Sequence, residues 1–304
     1  MNSNQLWLLV AAVVAIVTGV FLWQGKKPEP SATITLTAEE VLHRWAEALG
    51  GVEKLKGIEN TYTKIEIKTA GLTGVVEDWQ TIQGQHRQSV DLAGVYKSLT
   101  VFDGSKGWNQ DHNRKIQELS GTDLEDEITT AYLGSYSYFF SDRKPGKVEY
   151  LGEDKSKKNY VVKLLPAGGK PITYYLDKKS FLPVKSERPD AERTMTATMS
   201  DWRGINGIKT AFSIHQTSGD PRSEVQITVQ EVRFNQALDQ AVFAKLEETA
   251  SDLHFAQQHS ALGIPFELNS NHIYLQGRIN GSPVWFLLDT GASLRQLTVS
   301  LLPS

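Results

Sequence analysis

Tyr160-Val161-Val162-Lys163-Leu164, the glycine turn Ala167-Gly168-Gly169 and Thr173-Tyr174-Tyr175-Leu176 carry the pattern that decides the fold. Both runs are rich in β-branched and aromatic residues, and a turn signal separates them, which predicts a hairpin. The same pattern recurs on either side. Ile65-Glu66-Ile67-Lys68, Val75-Val76-Glu77-Asp78-Trp79, Ser98-Leu99-Thr100-Val101-Phe102, Met195-Thr196-Ala197-Thr198-Met199 and Val225-Gln226-Ile227-Thr228-Val229 all read as strands between Tyr62 and Phe234. Asp103-Gly104 and Asn206-Gly207 supply further turns. Leu36-Thr37-Ala38-Glu39-Glu40 opens a helix, with Thr37 as N-cap and Glu40 three residues on as its capping-box partner. Val41, Leu42, Trp45, Ala48 and Leu49 form its apolar stripe, and Gly50-Gly51 ends it. A second helix is expected near Asp123 to Phe140. The predicted fold class is mainly β (α+β): a large curved antiparallel sheet with two helices across its concavity.

Composition narrows the chemistry. The 304 residues carry 32 Lys and Arg against 35 Asp and Glu, net −3, with no basic face, so no nucleic-acid partner is expected. The absence of cysteine excludes disulfides, thiolate zinc sites, a cysteine nucleophile and a lipid-modified N-terminal cysteine. The seven histidines show no His-Glu-x-x-His pattern, and His254 and His259 fall on different faces of a helix, so no metal is expected. Gly104-Ser105-Lys106-Gly107 lacks phosphate-loop spacing and reads as a hairpin turn; no cofactor is expected. Lys155 to Lys158 reads as a solvated turn, and Tyr132, Tyr136, Phe139 and Phe140 as helix residues packed in the core.

Leu6 to Trp23 contains no charge, and Trp7 and Trp23 bracket it, which fits a membrane span with tryptophans at both interfaces. No Lys or Arg precedes the run and no clear Ala-x-Ala site follows, which argues for an uncleaved anchor over a signal peptide. Lys26 and Lys27 follow the span, and by the positive-inside rule they would hold the bulk of the chain in the cytoplasm. The chain divides into an anchor and linker (1–33), a curved-sheet domain (34–245), a polar linker (246–262) and a C-terminal module (263–304).

Three pieces of the sheet domain resemble the bacterial outer-membrane lipoprotein-sorting (LolA-like) proteins. They are Ala48-Leu49-Gly50-Gly51 with Lys54-Leu55, then Phe102-Asp103-Gly104 with Gly107-Trp108, then Asp201-Trp202-Arg203 with Asn206-Gly207-Ile208-Lys209. The resemblance implies an incomplete barrel with an apolar concave face suited to acyl chains or a lipidated partner. The other reading is a scaffold whose interior is filled by its own side chains, since Trp79, Trp108 and Trp202 are residues of the kind that fill cores.

In the C-terminal module Ile264 to Leu268 opens as a strand, His272 to Ile279 follows, and Asn280-Gly281 turns the chain into Val284 to Leu288. That strand delivers Asp289-Thr290-Gly291-Ala292-Ser293. With Gly277 to Gly281 before it, this stretch is similar to the first half of a retropepsin-like aspartic peptidase. The resemblance implies that Asp289 supplies half of a carboxylate dyad sharing one proton, Thr290 ties the two active-site loops, and Gly291 lets the backbone approach the carboxylate. A chain with one such motif would form a two-fold homodimer to act on a peptide or protein substrate. The flap, the second hydrophobic-hydrophobic-Gly element and the terminal dimer strand are not found after Ser293, and so short a module cannot bury a core alone. Two functions are therefore expected. The first is a membrane-anchored aspartic endopeptidase with Asp289, Thr290 and Gly291 at its site, its activity put in question by the short module. The alternative is a membrane-tethered lipid- or lipoprotein-binding envelope module with a vestigial peptidase segment. Both are envelope functions, so a single-pass protein of the bacterial inner membrane with its soluble part in the periplasm is expected, against the vote of Lys26 and Lys27, which are only two charges.

Overall fold

A computed structural model describes residues 36–247 and 263–288, apart from 95, 113, 191, 192, 222, 223, 270 and 271. The expected membrane span, the linker with His254 and His259, and Asp289, Thr290 and Gly291 lie outside the described residues. The described residues fall into two units, each treated by itself. No helix among them is long and apolar enough to cross a membrane.

The larger unit opens with α1 (Ala38–Ala48), whose capping box forms as the sequence implies: Glu40 N–H donates to Thr37 Oγ1 at 3.2 Å, and Thr37 N–H to the Glu40 carboxylate at 2.7 Å. A short α2 (Val52–Lys56), not expected from the sequence, follows the Gly50-Gly51 stop. Then come β1 (Asn60–Thr69), β2 (Leu72–Thr81), β3 (His86–Leu92), β4 (Tyr96–Phe102), β5 (Gly107–Gln110) and β6 (Ile116–Glu118). After α3 (Gly121–Gly134) the chain continues as β7 (Gly146–Glu153), β8 (Asn159–Pro166), β9 (Ile172–Asp177), β10 (Pro183–Asp190), β11 (Arg193–Ile205), β12 (Ile208–Thr217) and β13 (Val225–Phe234). A 3-10 turn, Gln240–Phe243, buries Phe243.

All thirteen strands join one antiparallel sheet in the order β6-β5-β4-β3-β2-β1-β13-β12-β11-β10-β9-β8-β7, and the sheet does not close. Two meanders, β1–β6 and β7–β13, meet at the central pair β1–β13. The start of β1 and the end of β13 lie together, with Thr61 opposite Phe234. Amide groups clasp this end of the seam. Asn60 Nδ2 donates to the Gln236 carbonyl, Gln236 N–H to Asn60 Oδ1, and Glu59 N–H to Asn235 Oδ1, at 2.9, 3.0 and 2.7 Å.

Two of the sequence pieces that carry the lipoprotein-sorting resemblance meet in space. Lys209 N–H donates to the Leu49 carbonyl at 3.0 Å, joining the end of α1 to the β11–β12 hairpin. Gly50 sits at φ 126, and a Cβ there would strike the Gly207 carbonyl oxygen, so both the backbone angle and the contact require glycine.

The interior is filled by the protein's own side chains. Trp45 of α1 packs on Tyr138, Phe139 and Tyr174 with ring centroids 5.0, 5.2 and 5.2 Å away. Ile65, Ile67, Val76, Leu164 and Leu176 have no exposed surface at all, so they border no space as large as a water molecule. Around these residues the interior leaves no room for a ligand. The predicted second helix is shorter than its aromatic spacing implied. It ends at Gly134, and Tyr136, at φ 54, turns the chain so that Tyr138 folds back into the interior. Tyr132 and Tyr136 are buried as expected, while Phe139 and Phe140 are half-buried.

The smaller unit is a three-stranded antiparallel sheet in the order β14 (Phe266–Asn269), β15 (His272–Ile279), β16 (Ser282–Leu288). Asn280 and Gly281, at φ 50 and 84, make the two-residue turn that their sequence signals. Strand β14 starts two residues later than expected.

Candidate functional site

The most unusual chemistry in the described residues is a set of charged groups buried between α3 and the sheet. Along β2 the inward positions are Gly74, Val76, Asp78 and Gln80; along β3 they are His86, Gln88, Val90 and Leu92. Period two therefore places Asp78 and His86 on the inner face. His86 and Asp78 are wholly buried, and Glu127 of α3 is 2 % exposed. The imidazole bridges the two carboxylates: Nδ1 lies 2.6 Å from Glu127 Oε2 and Nε2 lies 2.7 Å from Asp78 Oδ1. The imidazolium, with both ring nitrogens donating, is the form that satisfies both contacts at once. Burial by itself would depress its pKa, but Asp78 and Glu127 outweigh burial and push it up to about 10. Gln88 Nε2 donates a second bond to Asp78 Oδ1 at 3.0 Å.

The neighbouring residue of the same helix reaches the other way. Asp126 accepts from Lys170 Nζ, in the β8–β9 turn, at 2.6 Å, and pairs with Arg188 Nη1 of β10 at 3.4 Å. Burial raises the Asp126 carboxyl above its usual range against the pull of Arg188 and Lys170. Thr129 adds a third tie on this side, its hydroxyl oxygen accepting from Lys170 N–H at 2.7 Å. Three carboxylates and three cations thus balance in the interior, as burial of charge demands.

This placement fixes the shape of the sheet. Strands β3 and β10 are six places apart in the order, roughly 29 Å across a flat sheet at about 4.8 Å per strand. Two consecutive residues of one helix touch both. The sheet must therefore curl round α3, which lies across the opening like a strap. Close packing secures the strap on the β2 side, because Gly134 lies against the side chain of Gln80 where any Cβ would collide. Beyond α3, Arg143 donates to the Ser135 carbonyl at 2.5 Å and to the Lys56 carbonyl at 3.3 Å, joining the aromatic segment to α2. The buried charges tie α3 to both flanks of the sheet.

The sequence did not single out these groups. Asp78 lay in a strand that was read correctly, but His86 lies in β3, whose inner face is partly polar and so shows weak alternation of hydrophobicity. The available signal was an Asp two residues after Val76 on the same face, opposite a strand carrying His and Gln at matching spacing. Among the described residues no group of side chains is arranged to hold a metal ion.

No protein-family profile matches the chain, and no curated protein matches it. Solved structures do. A DUF1329 family protein from Desulfovibrio piger matches with a TM-score of 0.47 at 16% identity over 68% of this chain and 95% of its own. A Vibrio parahaemolyticus domain whose name assigns it to outer membrane lipoprotein sorting gives 0.46 at 12% over 68% and 97%. A LolA superfamily protein from Nitrosomonas europaea gives 0.49 at 13% over 69% and 98%. None of the three reaches a TM-score of 0.5.

Proposed function

We propose that the chain is a lipid- or lipoprotein-binding module of the bacterial envelope, tethered to the inner membrane by Leu6 to Trp23 with its soluble part in the periplasm. One observation carries the reading. The sheet curls until a single helix hooks both flanks, yet it stays open, so its interior lies behind a helix and an aromatic segment instead of a continuous ladder. The sequence pieces shared with lipoprotein-sorting proteins support the same reading. Because the interior is filled, an acyl chain would take the place of the segment carrying Tyr138 and Phe139. The full chain in its membrane is loaded with a photoactivatable fatty acid, irradiated and mapped by mass spectrometry. Crosslinks at Trp45, Tyr138 or Tyr174 are expected; crosslinks confined to residues 6–23 would sink the proposal.

A second reading is supported by the C-terminal hairpin, in which β16 ends at Leu288 directly before the Asp289-Thr290-Gly291 sequence. It assigns the chain aspartic endopeptidase activity as a homodimer, with Asp289 as acid and base. Pepstatin-sensitive hydrolysis of a denatured protein substrate should disappear in Asp289→Asn, and hydrolysis that survives the substitution would refute this reading.

A further inference from the structure

The two attachments of α3 differ in kind. Towards β8–β10 it is held by the Lys170 ammonium and the Arg188 guanidinium, and by the Thr129 bond to the Lys170 backbone. Towards β2–β3 its one ionic contact among the described residues runs through His86, an imidazole, whose ordinary titration lies near neutrality. The groups facing His86 are Asp78 of β2 and Glu127 of α3, with Gln88 of β3 bonded to Asp78.

We propose that α3 is a door hinged on its β8–β10 side and latched on its β2–β3 side by the Asp78–His86–Glu127 chain, and that proton loss from His86 releases the latch while the hinge holds. This rests on the reading of the sheet as a container that opens, and names what controls the opening. The sign follows from the imidazolium. Its pKa is about 10 in the closed state and falls towards the ordinary 6.5 as Glu127 leaves and water reaches the ring, with Asp78 still beside it. The stabilisation is therefore complete below pH 6.5 and is lost progressively up to about pH 10. The open fraction should rise by up to tenfold per pH unit across that window and level off above it.

Hydrogen exchange of the full chain from pH 6 to 9, corrected for the intrinsic rate, reads this directly. Amides of 127–134 should show lower protection than those of β12 and β13, and that protection should fall by up to tenfold per pH unit. Protection of α3 that is independent of pH, or equal to the sheet core in size and slope, would overturn the latch. A disulfide variant tests the same door while leaving His86 in place. A Cβ on Gly134 would lie 3.3 Å from Gln80 Cβ, near the about 3.5–4.5 Å spacing of a disulfide. In this cysteine-free chain the pair Gln80→Cys and Gly134→Cys should, when oxidised, abolish the pH-dependent opening, and reduction should restore it. Opening that persists in the oxidised pair would also overturn the latch. Acyl crosslinking fails or succeeds separately: a door that opens yet admits no fatty acid leaves the latch standing and refutes the lipid reading.

Discussion

His86 shows how far one residue's role depends on what it faces. As a lone histidine on a strand it had no partner in the sequence; in the fold it is the cation shared by two carboxylates. Replacing it with leucine leaves Asp78 and Glu127 buried close together without their counter-charge. His86→Leu should therefore cost about 3–5 kcal/mol of unfolding free energy, the scale of a broken buried ion pair. Glu127→Gln should cost less, because it keeps the shape and leaves one carboxylate for the imidazolium. Urea titration at pH 6.5 checks the order, and equal losses would contradict it. The same titration repeated at pH 9 should show wild type weakening and His86→Leu changing less, since the leucine has no proton to lose.

At the level of elements, α1 is stabilised by its cap and its docking together. Thr37→Ala removes the side-chain acceptor of the capping box and should cost about 1 kcal/mol. Gly50→Ala should cost more, because it forces an unfavourable backbone angle and a clash with Gly207 in the β11–β12 hairpin. Thermal unfolding of the two variants distinguishes them. Most of the architecture was legible at this scale. Strands such as β8, β9 and β13, with apolar residues on one face, declared themselves, and Asn206-Gly207 and Asn280-Gly281 turned where their sequences said. Strand β3 did not, since His86 and Gln88 occupy inner positions where a pattern reader looks for apolar residues. The end of α3 was misplaced because the aromatics continue at helical spacing to Phe140, whereas the helix stops where Gly134 meets Gln80. The hooks Asp126 and Glu127 were invisible for a deeper reason: their partners come from strands more than forty residues away in both directions, and only the curl of the sheet brings them within reach.

At the level of the molecule, two contiguous meanders fold from neighbouring hairpins, and α3 is the link that crosses between them. The seam β1–β13 pairs residues far apart in sequence, so it should form late. Its geometry has a mechanical consequence. The start of β1 and the end of β13 sit side by side, so tension applied through the chain entering β1 and leaving β13 peels the seam open one rung at a time instead of shearing all its rungs together. A sheet loaded that way yields at low force. The Asn60, Asn235 and Gln236 clasp stands at the first rung to be loaded, and its amides would set the yield point. In optical tweezers Asn60→Ala should lower the force of the first rupture while leaving later ruptures unchanged. For a chain pulled from a membrane at one end and a partner at the other, this seam is where it would give.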